Sequence, residues 1–245
     1  MDKPEKKIKG IILAAGRGSR MGNVTTAKPK CLVEINNQSL LTYQIQAMKE
    51  VGIHDIAIVT GYKREMLSNY KLKEFTNRNW RETNMVASLL CANEWLEESP
   101  CIISYSDIFY STKAISLLYE CQDDLSITYD PNWLELWSKR FSNPLDDAES
   151  FKINPETGVI IELGKAAKST SEIDGQFMGL IRITPNSWEK LKSVIDTFSN
   201  DKSKTLDMTT LLQSVVENGD PVLYGIKFEG IWGEIDTVND LRVLA

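Results

Sequence analysis

The sequence predicts a mixed α/β fold, in which a mainly parallel sheet flanked by helices carries a smaller β-rich lobe. Short apolar runs rich in β-branched residues alternate with amphipathic segments of helical period through the first half of the chain. In the second half, Pro155-Glu156-Thr157-Gly158 stands between two further apolar runs, a hairpin signal. With 42% hydrophobic and 25% charged residues among 245, the composition is that of an ordinary globular protein long enough to bury a sizeable core.

Ile8 to Ala15 reads as the first strand, and it feeds the glycine-rich Gly16-Arg17-Gly18-Ser19-Arg20-Met21-Gly22. After Cys31 to Ile35 and a turn at Asn36-Asn37, the segment Ser39 to Val51 puts Leu40, Leu41, Ile45, Met48 and Val51 on one helical face. Ser39 caps that helix and Gly52 closes it. Ile56 to Thr60 is the second strand, Lys63 to Tyr70 is helical, and Asn84 to Glu97 is one amphipathic helix. Cys101 to Tyr105 is a third, buried strand running into Ser106-Asp107. Ser116 to Cys121 then reads as helix and Leu125 to Tyr129 as strand, before a Trp-rich, charged and irregular stretch from Pro131 to Ser150. Phe151 to Asn154 and Val159 to Leu163 form the hairpin arms, Gln176 to Thr184 is a strand, and Pro185 opens a helix. Leu206 to Asn218 is helical up to Gly219, strands follow at Val222 to Phe228 and Ile231 to Ile235, and a last helix runs from Thr237 to Leu244.

The charge balance, 28 Lys and Arg against 34 Asp and Glu for a net −6, argues against nucleic acid as a partner. Nothing approaches 18 consecutive apolar residues, and the basic start Lys3 to Lys9 leads only into a short apolar run, so neither a signal peptide nor a membrane span is expected. Cys31, Cys91, Cys101 and Cys121 have no CxxC spacing and lie among apolar residues, as reduced core thiols do, which suits a cytoplasmic protein.

The amides freed by Gly16, Gly18 and Gly22 after a strand are suited to cradling phosphates, with charge added by Arg17 and Arg20. The loop is not the dinucleotide fingerprint, which needs glycine where Met21 stands, and no P-loop spacing runs from Gly16 or Gly18. A plain glycine turn would look the same on its own. The single histidine, His54, sits in a turn with no partner in view and is expected to be structural, so the sequence offers no Ser-His-Asp or zinc arrangement.

LAAGRGSRMG followed by KPKCLVEINNQSLL resembles the signature of the nucleotidyltransferase superfamily that activates sugar phosphates and phosphocholine with nucleoside triphosphates. The resemblance continues to Asp107 and to Asp236 in Trp232-Gly233-Glu234-Ile235-Asp236. It is strongest toward bacterial CTP:phosphocholine and CTP:2-aminoethylphosphonate cytidylyltransferases, through Asn79 to Met85, Trp133 to Phe141, Asn143 to Glu149 and Gly175 to Leu180. It implies a Rossmann-like fold of the GT-A type in one domain, 1–245. In it, 1–125 is mainly the nucleotide half, 126–185 the substrate lobe, and 186–245 supplies closing strands and helices.

The resemblance further implies transfer of CMP from CTP to a small phosphomonoester or phosphonate, with 2-aminoethylphosphonate and phosphocholine ahead of phosphoethanolamine and phosphoglutamine. Mg²⁺ is the implied cofactor, held by Asp107 and Asp236, a pair of hard oxygen ligands of the kind that ion takes. Arg20 is assigned to the leaving β and γ phosphates, Lys30 to the bridge between α-phosphate and acceptor, and Lys165 to the acceptor phosphate. Leu13, Ala14, Ala15, Gly16, Arg17, Gly18, Ser19, Thr83, Asn84 and Ser88 are assigned to the nucleotide. A phosphate monoester is already an anion near neutral pH, its second pKa being about 6, so no protein base is needed.

From their chemistry, Tyr129, Trp133 and Trp137, near Asp130, Asp146, Asp147 and Glu149, suit an acceptor bearing an amine or quaternary ammonium. Core packing would account equally for the tryptophans, helix capping for Asp107 and Asp236, and a solvated turn for Lys165. The competing functions are a hexose-1-phosphate nucleotidylyltransferase and a noncatalytic nucleotide-binding relative, and a homodimer is compatible with either.

Overall fold

A computed structural model describes residues 7–244, so Lys3 and Lys6 of the basic start lie outside the described residues. The strands are β1 Lys9–Ala14, β2 Glu34–Ile35, β3 Gln38–Ser39, β4 Ile56–Thr60, β5 Lys73–Thr76, β6 Cys101–Tyr105, β7 Ile108–Tyr110, β8 Leu125–Asp130, β9 Glu149–Ile153, β10 Ile160–Ala166, β11 Gln176–Ile183, β12 Tyr224–Lys227 and β13 Trp232–Glu234. Seven form the main sheet in the order β12-β8-β11-β6-β1-β4-β5. Every neighbouring pair in it is parallel except those made by β11, which runs antiparallel to both β6 and β8. The mainly parallel α/β architecture expected from the sequence is therefore the one found. Among the described residues, no helix is long and apolar enough to cross a membrane.

The central strands read as continuous apolar runs because both faces of the sheet are covered. Helices Leu40–Glu50 and Thr112–Glu120 pack together as one group, and Asn93–Glu98, Pro185–Ile195 and Met208–Asn218 as another. Local chemistry sets several boundaries. The Ser39 hydroxyl accepts from the amide of Thr42 to start its helix, and Gly219, in the left-handed region, ends Met208–Asn218. Asn36 and Asn37 both take positive φ, the pairing a two-residue hairpin between β2 and β3 demands.

The structure departs from the sequence reading in a few places. The segment Asn84 to Glu97 is two helices, Met85–Leu90 and Asn93–Glu98, because Cys91 and Ala92 bond back three residues, to Ser88 and Leu89, and tighten the turn between them. The stretch from Pro131 contains a regular helix, Trp133–Arg140, whose buried Trp133, Trp137 and Arg140 follow helical spacing. β5 and β7 were not read as strands: β5 is a charged sheet edge and β7 only three residues long.

Parallel pairing brings the carboxyl ends of β1, β4, β5 and β6 to one edge, where ligands of open α/β sheets bind. Gly16, Gly61, Asn77 and Asp107 all follow there. β7 and β13 form an antiparallel ribbon that delivers Glu234 and Asp236 beside Asp107. β9 and β10 make the separate hairpin of the lobe. At the sheet centre Ile103 lies between Ile11 and Ile181, all fully buried. Ile103→Ala should lower unfolding stability by about 2–5 kcal/mol in urea titrations monitored by circular dichroism.

Candidate active site

Lys30 stands at the centre. Its Nζ donates to Asp236 Oδ1 at 2.6 Å and to Asp107 Oδ2 at 2.8 Å. Burial opposes its charge, but the two carboxylates outweigh that and hold its pKa above the ordinary lysine value. The loop before it is shaped to let this happen. Gly18 has φ +69°, and a Cβ there would approach Lys30 side-chain carbons to 2.8 Å, so the glycine both makes the turn and clears the path of the lysine. Gly16, in contrast, has open space where a Cβ would stand, and nothing in the chain requires a glycine there except room for something else.

Asp107, Glu234 and Asp236 place carboxylate oxygens within 4.8 Å of one another. Burial, reinforced by Asp236 and Asp107, pushes Glu234 up to about 8. Burial acts on Asp236 in the same direction, yet Lys30, Arg20 and Arg140 together keep it below the usual carboxylate range. Arg20 reaches Asp236 Oδ1 at 2.8 Å. Arg140, its side chain wholly buried, donates Nε to Asp240 at 3.0 Å and lies 3.3 Å from Glu234 and 3.4 Å from Asp236. Asp240 in turn accepts from the amides of Asp236 and Thr237 and its own amide donates to Thr237 Oγ1, so Thr237, with Asp240 reaching back to it, and not Asp236, caps the last helix. The carboxylate of Asp236 is left facing the cluster.

The donor set fits a divalent metal. Three hard oxygen donors converge, and Asp107 Oδ1 is buried with no hydrogen-bond partner among the described residues. Asp107, Glu234 and Asp236 are the residues that would hold the ion, and it would supply charge neutralisation and polarisation of phosphate oxygens.

Two recesses open on either side. One, of about 100 Å³, is lined by Leu13, Ala15, Gly16, Trp80, Thr83, Asn84, Met85 and Ser88. Six of these were expected at the nucleotide, whereas Trp80 and Met85 were not. Ala14 closes β1 just before, and Ser19 and Arg17 lie in the adjoining loop, Arg17 over the Tyr62 ring at 5.9 Å. The other recess, of about 270 Å³, is lined by Arg20, Tyr105, Trp137, Asp147, Glu149, Gln176, Phe177, Thr209, Glu234 and Asp236.

Of the residues expected at an acceptor, Trp137 and Glu149 line this second recess. Trp133 is buried in the lobe with its Nε1 donating to the Ile173 carbonyl, and Tyr129 packs on Phe151 with ring centroids 5.0 Å apart. Asp146 accepts from Asn143 in a turn, while its neighbour Asp147 faces the recess and accepts a hydrogen bond from Trp137 Nε1 at 3.0 Å. Asp130 is occupied by Trp232 Nε1. Lys165 does not reach the recess: Glu162 and Glu217, each 3.4 Å away, hold its Nζ at the surface. Sequence reading missed Arg140, Glu234, Tyr105 and Phe177. Only Glu234 carries a signal, at the end of β13 and two residues before Asp236.

The Lys30 ammonium, cleared by Gly18 and held between Asp107 and Asp236, thus stands at the carboxyl edge of the parallel sheet. The chain belongs to the MobA-like NTP transferase domain family, whose pattern matches residues 10–148, and it is a nucleotidyltransferase. It is 38% identical to a CTP:phosphoglutamine cytidylyltransferase of Campylobacter jejuni, over 96% of this chain and 98% of that protein. It is 37% identical to a choline-phosphate cytidylyltransferase of Streptococcus pneumoniae over 42% of this chain and 46% of that one. Among solved structures, the CTP:phosphocholine cytidylyltransferase of S. pneumoniae superposes with TM-score 0.70 at 22% identity, covering 96% of each chain. The inositol-1-phosphate CTP transferase of T. maritima superposes with TM-score 0.75 at 17% identity, covering 100% of this chain and 96% of that one. Both share the fold.

Removing Arg140 would leave Glu234, Asp236 and Asp240 buried without their common cation. Arg140→Met is expected to cost about 3–5 kcal/mol in metal-free buffer, with part of the loss recovered on adding Mg²⁺, as read by thermal unfolding with and without chelator.

Proposed function

We infer that this nucleotidyltransferase transfers CMP from CTP to a small phosphorylated acceptor with release of pyrophosphate. The observation that carries this is the Lys30 ammonium held at 2.8 Å and 2.6 Å between Asp107 and Asp236, with Arg20 beside it. Joining two phosphate groups concentrates negative charge, and these cations stand where that charge must be met. The recess beside Gly16 takes the nucleoside, and Arg20 at the mouth of the other meets the departing phosphates. Lys30 draws the α-phosphate and the acceptor oxygen together as a compact point charge. Asp107, Glu234 and Asp236 would hold Mg²⁺, which would neutralise charge on the phosphates. The acceptor phosphate attacks the α-phosphorus in line and the pyrophosphate oxygen leaves, with no protein base taking a proton.

The acceptor is proposed to carry an ammonium at the end remote from its phosphorus. Trp137, Phe177 and Tyr105 offer aromatic surface in the second recess, and Asp147 and Glu149 offer carboxylates. Phosphoglutamine, phosphocholine and 2-aminoethylphosphonate share that chemistry. Phosphoglutamine comes first, because a relative 38% identical over 96% of this chain is named for it. A cytoplasmic location, where CTP is made, agrees with the four cysteines being free.

Pyrophosphate release should be assayed with CTP, UTP, GTP, ATP and dTTP against these three acceptors, phosphoethanolamine and glucose 1-phosphate. Turnover is expected with CTP and an ammonium-bearing acceptor, falling at least about 100-fold in Asp107→Ala and Lys30→Ala. Turnover with glucose 1-phosphate alone would move the protein to the hexose branch, and metal-dependent nucleotide binding without any turnover would favour the noncatalytic relative. Trp137→Ala should raise the acceptor KM at least about fivefold with little change in the KM for CTP.

A further inference from the structure

Asn77 follows the end of β5 and is buried behind the recess assigned to the nucleoside. Its Oδ1 accepts from the backbone N–H of Asn79 at 3.0 Å. A backbone N–H can only donate, so the amide orientation is fixed and the Nδ2 group points the other way. That group donates to Thr83 Oγ1 at 2.9 Å and to Ser88 Oγ at 3.0 Å. Thr83 gives its own proton to the Asn79 carbonyl at 3.0 Å. Ser88 receives from Asn77, and its remaining proton meets no acceptor among the described residues. Ser88 is buried and lines the recess with Gly16 and Trp80.

Asn77 engages one of the two lone pairs of Ser88 Oγ, and the hydroxyl proton is the group left without a partner, so this buried hydroxyl gains most from a ligand that accepts. Resting on the reading of this recess as the nucleoside site, we propose that Asn77 fixes the Ser88 hydroxyl as a donor to the pyrimidine and so sets the preference for cytosine over uracil. The pairing edge of cytosine offers two adjacent acceptors, O2 and N3. Uracil carries a proton on N3, so the hydroxyl must turn to accept from it and its own proton is again left unpaired. Asn77 touches no substrate in this scheme. It is a positioning residue acting through Ser88.

The test is the affinity of the wild type for CTP and for UTP, each measured by calorimetry with Mg²⁺ and no acceptor, and repeated on N77D and S88A. Aspartate keeps the bond to the Asn79 amide but turns the donor into an acceptor, so Ser88 must give it the proton and turn a lone pair to the base. The CTP-to-UTP affinity ratio is expected to fall about tenfold or more in N77D, with circular dichroism and the affinity for pyrophosphate unchanged. In S88A the ratio is expected to collapse in the same direction. If N77D does not fold, N77A, which removes the donor to Ser88, takes its place, and the same fall in the ratio is expected. A folded N77D or S88A that keeps the wild-type ratio overturns the role of Asn77 while leaving the cytidylyltransferase reading intact. A wild type that binds neither nucleotide overturns that reading and this one together.

Discussion

Burying several like charges at one point is the constraint around which this protein is organised. Asp107, Glu234 and Asp236 converge within hydrogen-bonding distance of a shared centre, an arrangement whose repulsion and desolvation would open the fold if left unanswered. The answer comes from widely separated parts of the chain: Lys30 from the loop after β1, Arg20 from within that loop, and Arg140 from the helix of the lobe. Two of the cations that make the carboxylates tolerable, Lys30 and Arg20, are also the ones proposed to meet phosphate charge. Stability and chemistry therefore draw on one set of ion pairs.

Sheet topology explains why such distant residues meet. β1 and β6 are parallel neighbours, so the loops leaving them, with Gly18 and Asp107, open at the same edge. The β7–β13 ribbon grows directly from the turn at Asp107 and returns Glu234 and Asp236 to it, aided by the bond from the Ile235 amide to the Asp107 carbonyl. Gln44, fully buried, donates to the carbonyls of Tyr105 and Ile108 and pins that turn from below. On the far side, the helix Trp133–Arg140 carries Trp137 toward one recess and Arg140 into the carboxylate cluster, so the lobe and the metal-type centre share one rigid element.

The parts of the site that the sequence made legible are those fixed by local pattern. A glycine loop after an apolar run, a lysine eight to fourteen positions past its glycines, and an aspartate just after a buried strand are visible without knowing the fold. Arg140 is not, because its meaning lies in partners about a hundred residues away and in burial that its charge argues against. Asn77 is equally silent, since a polar residue after a strand reads as a turn until its three hydrogen bonds are known. The aromatic residues of the lobe were legible as a group but not singly. Trp133 and Trp137 share one buried helical face, yet only Trp137 lines the recess, while Trp133 bonds to the Ile173 carbonyl and Tyr129 packs on Phe151. Lys165 was drawn from resemblance alone, and surface carboxylates hold it outside.

The central claim is that the Asp107, Glu234 and Asp236 cluster holds a divalent ion jointly with the triphosphate. Manganese titration followed by electron paramagnetic resonance, with and without a non-hydrolysable CTP analogue, addresses it directly in the wild type and in Asp236→Asn. The account predicts a high-affinity ion that requires the nucleotide in the wild type and is lost in the variant. Manganese binding that is indifferent to the nucleotide, or that survives unchanged in Asp236→Asn, would contradict it.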